Sequence, residues 1–100
     1  MRKKRHKPIH PGEVLKLDLL DELGLSAYRL AKDIRVSPQH IGRILSGTRG
    51  ITGEMALRLG RYFGMDPVFW VNLQAQYELE SARDRMGVQI ERMILPHKAA

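Results

Sequence analysis

Gln39, His40, Gly42, Arg43 and Ser46 lie close together in the chain, and a helix through them would present all five on its outer side. Their chemistry is hydrogen bonding, not reaction. Arg can bridge guanine O6 and N7, Gln can pair with adenine N6 and N7, and a glycine lets the helix approach a groove closely. Thr48 and Arg49 follow directly, with groups suited to phosphate oxygens, which position a nucleic acid without reading its sequence. Catalytic patterns are missing: there is no paired-carboxylate site, Ser-His-Asp arrangement or glycine-rich phosphate loop. A ribonuclease built from His40, Arg43 and Glu54 has no spacing to recommend it. Of the histidines at 6, 10, 40 and 97, His6 and His10 are four apart, but Pro8 lies between them and no third ligand is evident. The chain has no cysteine, which rules out disulfides, thiol catalysis and cysteine metal sites. No catalytic residue, metal or cofactor is expected.

The elements that would position the five side chains run from Ser26 to Gly47. Leu30, Ala31 and Ile34 form an apolar stripe behind Ser26, a good N-cap. A second helix opens at Ser37-Pro38, with a capping hydroxyl and then a proline where the missing N–H costs nothing. Ile41, Ile44 and Leu45 face inward, and Gly47 can close the helix in the left-handed conformation. Ala31 lets the two backbones approach, and Val36 plugs the turn between them. This is the outline of a helix-turn-helix. Periodicity alone would equally describe a plain helical hairpin. The small residue, the turn plug, the Ser-Pro start and the polar outer face together point to double-stranded DNA.

Charge supports that reading. The net charge is +6, and it is concentrated in two places. Residues 1–7 carry Arg2, Lys3, Lys4, Arg5 and Lys7 with no acid, and residues 26–64 carry seven bases against Asp33 and Glu54. The remaining segments are mildly acidic. A polyanion partner calls for this footprint. The basic tail, residues 1–7, is expected to be disordered alone and able to follow phosphates or enter a minor groove. No apolar run approaches the ~20 residues that span a bilayer, and no signal segment follows the basic start. A cytoplasmic protein without a membrane partner is expected.

The rest of the chain reads as helical. Pro11 starts a first helix to about Leu23, with Val14, Leu15, Leu19 and Leu23 as its stripe, Leu20 beside it and Gly24 as its stop. Thr52 caps a helix to about Phe63 with Met55, Leu59 and Phe63 inward. Asp66-Pro67 opens a long fifth helix, on which Phe69, Trp70, Leu73 and Tyr77 fill one face as core or dimer contact. From Glu78 to Arg85 the helix becomes charged. The alternation from Val88 to Leu95 fits a short strand, a continued helix or an irregular tail. The fold class is all-α, with five compact helices. The expected organisation is a tail at 1–7, a DNA-binding domain at 8–86 and a C-terminal extension at 87–100.

Three segments carry a family resemblance: His10-Pro11-Gly12-Glu13, Arg49-Gly50-Ile51-Thr52 and Phe69-Trp70-Val71-Asn72-Leu73-Gln74. With the helix-turn-helix between them, residues 8–80 resemble the HigA antitoxins. These are a virulence-associated-protein-I-like branch of the repressor-type, Cro-like helix-turn-helix superfamily. The resemblance implies a homodimer that binds a palindromic operator in its own promoter and neutralises a HigB-type, mRNA-cleaving toxin. By position it assigns base reading to Gln39, His40 and Arg43, and phosphate contact to Ser37, Ser46, Thr48 and Arg49. One departure is Arg35, where the family turn usually has Gly, so the turn is expected to be altered or strained by ~1–2 kcal/mol. The alternative reading is a solitary regulator or an interaction module without a toxin.

Overall fold

A computed structural model of the chain describes residues 7–98, which form five helices and no strand. The sequence-predicted disorder of the basic tail falls on residues of which 1–6 lie outside that range.

Helix α1 begins at Pro11 and is capped by His10, whose Nδ1 accepts the Gly12 N–H at 2.8 Å. After a turn over Pro11–Val14 it becomes π-helical over Leu15–Leu20, and Asp21–Leu23 completes it before Gly24 stops it at φ 64°. This i→i+5 winding changes which residues face inward. Leu15 and Leu20, five apart, are both buried, and Leu23 is turned out to 62% exposure. The expectation that Leu23 completes the inner stripe is therefore corrected, because it assumed an unbroken 3.6-residue period.

Helix α2, Ala27–Ile34, has the expected Ser26 cap at 3.0 Å from Arg29 N–H and buries Leu30, Ala31 and Ile34. It ends on Arg35, which takes the left-handed conformation itself, at φ 62° and ψ 48°. The predicted strain is thus present in the backbone. The Arg58 guanidinium donates to the Ile34 carbonyl at 2.7 Å and satisfies one open acceptor at this helix end. Half-buried Val36 leads into α3, Pro38–Ser46, which is capped by Ser37 and closed by left-handed Gly47.

Helix α4, Gly53–Phe63, starts on the predicted Thr52 cap and buries Met55, Ala56 and Leu59. Helix α5, Pro67–Met93, starts on the Asp66 cap. Trp70 is its one buried residue; Leu73 and Tyr77 are half-buried, and Phe69 is exposed against the expectation of one filled face. The helix passes through Gly87, so the strand considered for Val88 to Leu95 does not form. A lone strand would leave backbone groups unpaired that a helix satisfies internally. Residues 94–98 are irregular.

The core lies where α2, α3 and α4 meet α1 and the first half of α5. Gly12 lets α1 rest on α3, since a Cβ there would overlap the Ile44 carbonyl oxygen. The result is 52 Å long but only 24 Å thick, with α5 supplying an arm of about 40 Å at 1.5 Å per residue.

Candidate nucleic-acid interface

Helix α3 buries Ile41 and Ile44 completely, which fixes its rotation. Gln39, Gly42, Arg43 and Ser46 are left along one exposed stripe at i, i+3, i+4 and i+7. A Cβ at Gly42 would meet only open space, so no intramolecular packing requires the glycine. Arg43 and Arg49 form no ion pair among the described residues, whereas Arg58 pairs with Glu54 at 2.8 Å. Two guanidinium groups thus remain available on the exposed side.

His40 stands apart from the stripe. It is half-buried on the flank of α3, and its Nε2 is shut off from solvent without a hydrogen-bond partner among the described residues. It borders a cavity of about 360 Å³ with Ser37, Arg49, Thr52, Glu54 and Arg58. Burial, and then the charges of Arg49 and Arg43, hold the imidazole below its usual pKa, so it is neutral near pH 7. Reaching a base edge would require the ring to turn outward.

The predicted phosphate-contacting residues lie at both ends of the stripe. Ser37 Oγ accepts the His40 N–H at 3.1 Å, and its own O–H stays available at the N-terminus of α3, where the helix dipole favours anions. At the other end, Ser46 Oγ and Thr48 Oγ1 are 3.1 Å apart, and both reach the Arg43 carbonyl. That carbonyl also accepts the N–H groups of Thr48 and Arg49, at 2.9 and 3.1 Å. The chain therefore turns sharply after α3 and presents Thr48 and Arg49 on an exposed loop. A nine-residue helix separates the two ends by about 13 Å.

Two residues missed by sequence reasoning hold this loop. Gln74 Oε1, on α5, accepts the Ile51 N–H at 2.8 Å. His10 is 8% exposed and lies beside the Arg49 backbone; burial dominates its pKa and pushes it down. A signal for Gln74 was present, because it is a polar residue one turn beyond Trp70 on an otherwise apolar face. His10 gave none, since histidine is not among the preferred N-caps.

The chain matches the sequence profile of the Helix-turn-helix family over residues 16–70. Virulence-associated protein I of Dichelobacter nodosus is 48% identical over 83 residues, covering 82% of this chain and 77% of that protein. The structure of Pseudomonas aeruginosa antitoxin HigA with the higBA promoter superposes with a TM-score of 0.88 at 44% identity, covering 91% of this chain and 99% of that one. The chain belongs to the HigA family. Within that family, Antitoxin HigA-1 of Vibrio cholerae is 31% identical, covering 85% of this chain and 80% of that protein. A HigA-family fold explains why the exposed stripe sits on α3, the second helix of the helix-turn-helix. Among the described residues no helix is long and apolar enough to cross a membrane.

Proposed function

We propose that this chain is a DNA-binding antitoxin of a HigB/HigA-type module, a homodimer that represses its own operon and neutralises a ribonuclease toxin. It is a binding protein and not an enzyme. The observation that carries the reading is the stripe of Gln39, Gly42, Arg43 and Ser46 on α3, exposed and polar above a fully buried apolar face. Placed in a major groove, Arg43 and Gln39 reach base edges, while Ser37, Ser46, Thr48 and Arg49 hold phosphates on either side. His40 joins the base readers only with its ring turned out. The P. aeruginosa relative solved with the higBA promoter supports this placement.

Dimerisation supplies the second half-site. Two copies of α3 set one DNA turn apart, about 34 Å, read a palindromic operator. Exposed Leu79, Met86, Ile90 and Met93, which share one side of the distal part of α5, offer apolar surface for the contact. In this reading residues 8–86 are the DNA-binding domain, and the extension from 87 serves association. The toxin partner rests on the named antitoxin relatives. A bacterial repressor works in the cytoplasm, where its promoter is.

The test is binding of the purified protein to its own promoter fragment against unrelated DNA of equal length, at two salt concentrations. A preference for the promoter that persists at the higher salt is the expected result. Equal and salt-sensitive binding to both would reduce the surface to generic phosphate attraction.

A further inference from the structure

The three segments that carry the family resemblance are far apart in sequence and meet at one junction. His10 and Gly12 come from the start of α1, Arg49, Gly50 and Ile51 from the loop after α3, and Gln74 and Tyr77 from α5. The α3 stripe uses none of them, and among the phosphate-contacting residues only Arg49 is one of them.

The junction grips backbone. Gln74 Oε1 accepts the Ile51 N–H at 2.8 Å, and Gln74 Nε2 donates to Glu78 at 2.9 Å, which fixes the way the amide faces. Gly50 lies so close to the Gln74 amide that a Cβ would come within 2.7 Å of Nε2. His10 accepts the Gly12 N–H on Nδ1, which fixes the ring, and the Arg49 backbone lies beside it. Tyr77 packs edge-on against that ring at 4.8 Å. The Ile51 N–H is therefore bonded by an oriented amide, while an oriented ring lies against the backbone two residues earlier, at Arg49.

We infer that Gln74 and His10 are positioning residues for DNA binding, holding the loop so that Thr48 and Arg49 meet the phosphate backbone at a fixed distance from the α3 stripe. The inference rests on the DNA-binding reading and extends it to α5. A loop free to move would spend ordering entropy on each phosphate contact, whereas a gripped loop arrives ordered. It also gives α5 a direct mechanical link to the DNA-facing surface, because the helix with the exposed apolar arm is the one that holds the loop.

The test uses the full chain and its own promoter fragment, titrated across salt concentrations. Gln74→Ala is expected to lower affinity by about tenfold and to flatten the salt dependence by about one phosphate contact. Its helical circular dichroism should stay unchanged. The exchange Gln74→Glu with Glu78→Gln is expected to restore both affinity and salt slope, because a carboxylate at 74 accepts the Ile51 N–H and an amide at 78 donates to it. His10→Asn supplies a second variant. It keeps a capping acceptor for Gly12 but is too short to reach the Arg49 backbone, so it too should flatten the salt slope. Wild-type affinity and salt slope in both single variants would overturn the inference, as would a loss that the exchange leaves unrestored. If wild type itself shows no promoter preference, the DNA-binding reading fails instead, and that outcome is distinct from a promoter-selective wild type matched by its variants.

Discussion

Helix α3 and the distal part of α5 both expose a continuous face to water, but opposite kinds of side chain fill it. On α3, Ile41 and Ile44 are wholly covered by the chain's own core, and Gln39, Arg43 and Ser46 remain outside. Beyond Tyr77, α5 leaves Leu79 57%, Ile90 43% and Met93 65% exposed along one side, with charges between them in the chain. The apolar pattern of α3 is thus complete in a single copy, and that of α5 is not. Water suits the outer face of α3 until a polar ligand replaces it, whereas uncovered leucine, isoleucine and methionine favour another protein surface. On the proposed reading, one chain carries a polar face for nucleic acid and an apolar arm for protein, joined at the Gln74 junction.

The largest effect expected from breaking this division lies at the root of α5. Trp70 is fully buried, so Trp70→Ala should destabilise the fold by about 3–5 kcal/mol in denaturant unfolding, a large share of a small domain's stability. A loss below about 1 kcal/mol would mean that the proximal half is not anchored as described. Next comes the arm. Ile90→Asp should leave the helical spectrum intact while weakening self-association by at least about tenfold in sedimentation experiments, equivalent to about 1.4 kcal/mol. An unchanged dimer would move the contact away from this face. The smallest effect concerns the turn before α3. Arg35 holds φ 62° at a cost glycine avoids, so Arg35→Gly should raise stability by about 0.5–1 kcal/mol, read as a higher melting temperature. No gain would show that the left-handed turn is unstrained.

The fold was legible wherever its chemistry is local. Ser26, Ser37, Thr52 and Asp66 all cap the helices the sequence assigned to them, because each hydroxyl or carboxylate bonds a backbone N–H two or three residues away. The exposed stripe followed from the burial of Ile41 and Ile44. What was not legible depends on partners distant in sequence. Leu23 turns outward through the π-helical winding in α1, which no 3.6-residue pattern encodes. His40 looks like an outer-face residue until the start of α4 closes over its flank. Gln74 and His10 gain their roles from backbone groups 23 and 39 residues away, too far for spacing rules to reach.

The central claim is that α3 reads bases while the loop after it only holds phosphates. The direct measurement compares Arg43→Ala and Arg49→Ala, each titrated against the promoter fragment and random duplex over a range of salt. Arg43→Ala should lose about 1–3 kcal/mol on the promoter, with relaxed preference at one base pair. Arg49→Ala should weaken both duplexes alike and reduce the salt slope by about one. Equal losses on promoter and random DNA for both variants would contradict the division of labour and leave α3 without a reading role.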